Sequence, residues 1–109
     1  MAIGDPGDGI YVLKRLKQYN GIAEEASDKE ITDGIMLLAQ TEGIFTEPAG
    51  GVSVAVLRKL VEEDKIEKDE RTVCYVTGNG LKATEAIIGL LPKLNAVKPD
   101  AAEVSAMIR

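Results

Sequence analysis

The 109-residue chain contains no histidine, and this one absence excludes Ser-His and Cys-His nucleophilic catalysis together with the usual zinc sites. Acid–base chemistry would have to come from a carboxylate, a lysine or a cofactor. There is one cysteine, Cys74, so no internal disulfide can form, which fits a reducing cytoplasm. Its place in mid-strand reads as a buried structural thiol. Basic residues are the minority, 13 against 18 acidic, for a net charge of -5. An acidic surface argues against nucleic acid, whose binding needs phosphates neutralised. No apolar run approaches the length of a membrane span, and none resembles a signal peptide, so no membrane partner is expected. The chain also lacks the Gly-Lys-Ser/Thr of a phosphate-binding loop, any internal repeat and any low-complexity segment.

What remains is an ordinary composition for a soluble domain, 45% hydrophobic and 28% charged. The most informative stretch runs from Thr72 to Lys82. Thr72-Val73-Cys74-Tyr75-Val76 is short, β-branched and apolar, as a buried strand should be. Thr77-Gly78-Asn79-Gly80 follows, and glycines at a strand end permit close approach to a ligand. Gly78-x-Gly80-x-x-Ala83 formally matches a dinucleotide fingerprint, but the chain supplies no following strand with a ribose-binding acid. A nucleotide site is therefore the minor reading. Lys82 reads as an exposed lysine at a helix start.

The other elements alternate. Ala2 and Ile3 read as the end of a strand, and Asp5-Pro6-Gly7-Asp8-Gly9 as turn chemistry with Asp8 a helix cap. Val12, Leu13, Leu16 and Tyr19 share a helical face that Asn20-Gly21 terminates. The segment 22–26 is a short strand candidate. Ser27-Asp28-Lys29-Glu30 spells a capping box, followed by Ile31, Ile35 and Leu38 at helical spacing, with Gly43 as the stop. Gly34 inside this helix implies a close neighbour. Pro48 opens a helix to about Asp64, apolar nearly all round at first and so buried, with Gly50 and Gly51 leaving free N–H groups at its positive end. Ala83 to Leu91 reads as a helix ended by Pro92. Residues 95–99 read as a linker, and Asp100 caps a last helix through Val104, Met107 and Ile108. Strands alternating with helices make the fold class α/β, a small, partly parallel sheet flanked by helices in layers. Glu47, between Phe45 and Pro48 ahead of a buried helix, is the acid to explain. Local N–H groups at the helix end could satisfy it, or it could serve a site.

Two long motifs carry a resemblance. Thr41-Glu42-Gly43-Ile44-Phe45-Thr46-Glu47-Pro48-Ala49-Gly50-Gly51-Val52 and Val76-Thr77-Gly78-Asn79-Gly80-Leu81-Lys82 resemble the C-terminal region of threonine synthases. These are pyridoxal-phosphate (PLP) enzymes of the tryptophan-synthase β, or fold type II, group. Ala2-Ile3-Gly4-Asp5-Pro6 and Ser27-Asp28-x-Glu30-Ile31 fit in order and spacing, so the resemblance covers about residues 2 to 91. It implies a division into 1–94, part of a catalytic domain, and 95–109, a linker and short helix.

The resemblance also implies roles. A hydroxyl at the position of Thr77 bonds the pyridine nitrogen of PLP and leaves it largely unprotonated, which suits elimination and replacement chemistry. Glu47 borders the ring, and Gly78, Asn79 and Gly80 shape the wall beside it. The parent reaction converts O-phospho-L-homoserine and water to L-threonine and phosphate. The lysine that attaches the cofactor belongs to the family's N-terminal half, in a Ser-x-Lys context, and Lys82 is not its counterpart. The phosphate-cradling loop is likewise outside these residues. The chain is thus expected to carry half a site, to hold PLP weakly or not at all, and not to turn over substrate alone. Its partners would be the rest of a threonine synthase polypeptide and, through it, an amino-acid substrate. A cysteate synthase or threonine dehydratase fragment, and a non-catalytic assembly module that self-associates, are the alternatives.

Overall fold

A computed structural model of the chain describes residues 3–93, 96 and 98–107. Among the described residues four α-helices form: α1 Gly9–Gln18, α2 Asp28–Glu42, α3 Pro48–Glu62 and α4 Ala101–Met107. Three single 3₁₀ turns, Gly80–Lys82, Thr84–Ala86 and Ile88–Leu90, lie between α3 and α4.

The helix boundaries follow local chemistry. At α2 the Ser27 hydroxyl accepts from the Glu30 N–H, and the Glu30 carboxylate accepts from the Ser27 N–H at 2.7 Å, completing the capping box. Gly43 closes α2 at φ 68°, a left-handed conformation that favours glycine. Pro48 occupies the first turn of α3. Two helices end in the left-handed manner without glycine at the turning residue. Asn20 takes φ 52° after α1, and the Gly21 N–H returns to Leu16 O at 2.8 Å. Asp64 takes φ 54° after α3, with the Lys65 N–H on Leu60 O at 2.8 Å and its own N–H on Val61 O at 3.2 Å.

The core is the crossing of α2 and α3. A methyl group on Gly34 would stand 2.6 Å from Gly51 O and 3.3 Å from Ala55 N. One on Gly51 would stand 2.6 Å from Ile31 O and 2.8 Å from Ile35 Cγ1. Each glycine thus faces the other helix's main chain, and Gly34 has the close neighbour its position implied. Ile31, Ile35 and Ile87 form the buried cluster, with Ala26, Phe45, Val52 and Ala86 packed against it. Val54 and Ala55 are buried in the same crossing.

Glu30 couples the cap to the crossing, because its other oxygen meets Lys59 Nζ at 3.0 Å. Bonds from Ser27 and then Lys59 lower the Glu30 carboxyl from its ordinary 4.5 to about 2. A carboxyl depressed on folding stabilises the chain fully above its unfolded value, and that contribution is lost as pH falls through the folded one. Urea midpoints are therefore expected to drop between about pH 4.5 and 2, and the Glu30→Gln chain should show a shallower drop.

Several expectations need correction. No strand forms among the described residues; residues 22–26 and 72–76 carry no regular structure, and the one β-type pairing is an isolated bridge between Thr46 and Asn79. A strand's main-chain groups need a neighbouring ladder, and the described residues provide none for these segments. Ile3 is likewise outside regular structure, and Ala2 lies outside the described residues. Cys74 is exposed rather than buried, since its burial presumed a covered sheet. Val73 and Tyr75 beside it are 71% and 78% exposed.

Residues 83–91 do not make a helix. Ala83 (φ -148°, ψ 53°) and Ile87 (φ -125°, ψ -12°) leave the helical region, and the chain advances by three-residue turns that bring Ile87 onto the core. The apolar face of α1 has no buried residue. The last helix does form as expected, with Asp100 Oδ1 accepting from the Ala102 N–H at 2.8 Å. Asn95 of the expected linker and Ile108 of that helix lie outside the described residues.

The radius of gyration is 18.4 Å, with extents of 61 × 36 × 19 Å. A compact chain of this length would have about 13 Å. The structure is open, and much apolar surface stays uncovered.

Candidate functional site

The two long motifs meet. The segment before α3 lies beside the turn at 78–80 in an antiparallel bridge. The Glu47 N–H donates to Gly78 O at 3.1 Å, and the Gly80 N–H donates to Phe45 O at 3.0 Å. Thr46, between these two bonds, is fully buried, and its hydroxyl donates to Gly78 O at 3.1 Å. A buried hydroxyl needs such a partner to offset its lost water. Thr46 fits because Gly50, one turn into α3, has no side chain: a methyl there would stand 2.9 Å from Thr46 Cβ.

Gly78 and Gly80 do specific work in this clasp. The Glu47 carboxylate lies where a Gly78 side chain would begin, and the Phe45 ring would stand 2.5 Å from a methyl on Gly80. Only glycine admits both groups. These contacts also dispose of the dinucleotide reading: among the described residues no strand precedes the glycines and only short 3₁₀ turns follow them, and Glu47 and Phe45 side chains lie against the two glycines. Asn79 is exposed, and its Oδ1 accepts from the Leu81 N–H at 2.9 Å, capping the turn that follows.

Thr77 is exposed, and among the described residues its hydroxyl makes no hydrogen bond. Glu47 does not cap α3 with its side chain. Its Oε2 instead meets Lys82 Nζ at 3.1 Å, with the glutamate side chain 22% and the lysine side chain 68% exposed. The N–H groups of Gly50 and Gly51, expected to be free, both donate to Glu47 O, at 3.0 and 3.1 Å. They cannot serve as an anion site.

So the structure brings together Glu47, Gly78, Asn79 and Gly80, with Thr77 adjoining them along the chain. Sequence reasoning missed Thr46 and Phe45 as the partners of the glycines, and Lys82 as the partner of Glu47. The signal for the first two was present, since Gly50, Gly78 and Gly80 each mark a place where a neighbour approaches closely. Lys82 carried no such signal. Lysine in a Ser-x-Lys spelling does occur, at Ser27-Asp28-Lys29, but both residues are committed elsewhere. Ser27 caps α2, and Lys29 pairs with Asp33 at 2.5 Å on the exposed face. Among the described residues no cluster of acids and cysteine suits a metal ion, and no helix is long and apolar enough to cross a membrane.

Comparison with known proteins supplies the context. Residues 1–78 match the family model of pyridoxal-phosphate dependent enzymes. The chain is 46% identical over 86 residues to threonine synthase of Methanocaldococcus jannaschii, covering 79% of this chain and 21% of that protein. It is 39% identical over 98 residues to threonine synthase of Halalkalibacterium halodurans, 90% of this chain and 28% of that one. It is 33% identical over 102 residues to that of Mycobacterium leprae, 94% and 28%. The chain thus spans about a quarter of the length of these relatives. Membership of the family supports the α/β class, although the sheet itself is not formed among the described residues. The chain belongs to the family of pyridoxal-phosphate-dependent enzymes, and its likeness within it is to threonine synthases.

Proposed function

We propose that this chain is the C-terminal part of a threonine synthase and forms the wall of the active site on the pyridine-nitrogen side of the cofactor. The clasp carries this reading. It draws the two motifs that resemble those of threonine synthases into one structure and holds Gly78 to Gly80 by main-chain bonds, and among the described residues nothing bonds the exposed hydroxyl of the neighbouring Thr77. A hydroxyl fits a ring nitrogen because it can donate one hydrogen bond without bringing a charge. When bound, PLP supplies an electron-withdrawing ring that stabilises negative charge on the attached amino acid. Thr77 would hold the ring nitrogen, Glu47 would border the ring, and the clasp would fix both in place.

In this reading the phosphate end of the cofactor is held elsewhere in the polypeptide. The Gly50 and Gly51 N–H groups are already bonded to Glu47 O, and Lys29 and Lys82 each face a carboxylate. The remainder of a threonine synthase polypeptide is therefore the partner, and the uncovered segments 22–26 and 72–76 are where a partly parallel, layered sheet would be completed. The whole protein would act on O-phospho-L-homoserine and water to give L-threonine and phosphate, in the cytoplasm. Spellings shared with threonine synthases favour this over a threonine dehydratase.

The test is a graft. This chain would replace the matching stretch of the M. jannaschii threonine synthase, and phosphate release from O-phosphohomoserine would be measured. The graft should turn over, the 109-residue chain alone should not, and Thr77→Val in the graft should lower kcat about tenfold, as loss of one hydrogen bond near the reacting group implies. Turnover by the isolated chain, or a folded graft indifferent to Thr77→Val, would sink the proposal.

A further inference from the structure

The clasp contains one ion pair that its main-chain bonds do not require. Lys82 is carried on the turn that follows Gly80: the Leu81 N–H bonds Asn79 Oδ1 at 2.9 Å, the Lys82 N–H bonds Asn79 O at 3.2 Å, and the Ala83 N–H bonds Gly80 O at 3.0 Å. This tight path brings the ammonium to Glu47, whose carboxylate rests against Gly78. Glu47 has no other side-chain partner among the described residues. A glutamate side chain has several rotatable bonds, and nothing else among the described residues fixes where its charge points. A pair with so exposed a lysine adds little to stability. Its effect is on the direction and neutralisation of one carboxylate.

We propose that Lys82 is a positioning residue, whose ammonium holds the Glu47 carboxylate against Gly78 and so sets the acid beside Thr77. This rests on the reading of the clasp as the ring-side wall. It gives Asn79 a part as well: its side chain builds the turn that delivers Lys82. Removing the ammonium frees the carboxylate to turn towards water, whereas arginine at 82 can still pair with it.

Two readouts test this. In the 109-residue chain, the side-chain carboxyl ¹³C resonance of Glu47 should shift on Lys82→Ala, shift less on Lys82→Arg, and stay in place on Lys65→Ala, with unfolding midpoints unchanged. In the grafted synthase, Lys82→Ala should lower kcat about tenfold with KM altered less than about twofold, as expected when a group is misdirected rather than binding lost. Lys82→Arg should recover most of the loss, and Lys82→Ala added to Glu47→Gln should cost nothing further. A Glu47 resonance indifferent to Lys82→Ala, or fully additive losses, would overturn the proposal. If Thr77→Val lowers turnover while Lys82→Ala does not, the positioning role fails and the site reading survives. If neither does, the site reading itself has failed, and the proposal resting on it falls too.

Discussion

Replacing Gly51 by valine should destabilise the chain by about 3 kcal/mol, the upper part of the range for forcing bulk into a packed crossing. The reason lies in which atoms would be met. The first carbon alone would stand 2.6 Å from Ile31 O and 3.1 Å from Ile31 Cγ2. A main-chain oxygen within α2 cannot yield without moving the helix, and α2 is fixed at both ends by its capping box and by Gly43. Gly34→Val should act in the same direction from the opposite side, since Gly51 O faces it. Gly89 provides the control, because a methyl there would meet nothing within 4 Å; Gly89→Ala should stay within about 0.5 kcal/mol of the parent. Urea unfolding followed by circular dichroism measures all three.

The Gly78→Ala replacement should do the opposite: leave the fold and remove the site. Here the displaced atoms are the end of the Glu47 side chain, which can swing outward at little cost. The main-chain bond from Glu47 N–H to Gly78 O does not depend on that side chain. The unfolding midpoint should therefore stay close to the parent's. In the grafted synthase, however, the carboxylate beside Thr77 would be displaced by more than an ångström. Misplacement on that scale costs about 100-fold in rate. The separation is the informative result, with Gly51 reporting on stability and Gly78 on function.

What could be read from the sequence was whatever depends on near neighbours. The capping box needs only Ser27 and Glu30, three residues apart, and it formed. The same is true of Gly43, Pro48 and the Asn20-Gly21 helix end. The strands at 22–26 and 72–76 were read from composition, but a strand exists only with a partner, and the described residues offer Thr46 a single bridge to Asn79. The expected burial of Cys74 failed for the same reason. Residues 83–91 have helical composition, yet Ala83 and Ile87 leave the helical region and Ile87 joins Ile31 and Ile35 in the core.

The site divides likewise. Glu47 and Gly78 lie far apart in the chain, and no periodicity links them; only the resemblance to threonine synthases placed them in one site. Nothing in the spelling around Thr46 announces its burial, which is possible because Gly50 has no side chain. The Lys82 pairing depends on a turn geometry that no spacing rule announces. A helix start implies free N–H groups at Gly50 and Gly51, but the Glu47 carbonyl takes both.

Contact between Thr77 and the ring nitrogen of the cofactor is open to nitrogen magnetic resonance. The grafted synthase would be loaded with PLP labelled with ¹⁵N in the ring. With that contact, the resonance should lie in the unprotonated range, move on Thr77→Val and stay in place on Ser53→Ala, a hydroxyl whose bond is to Ala49 O within α3. A ring nitrogen resonance unchanged by Thr77→Val would contradict it.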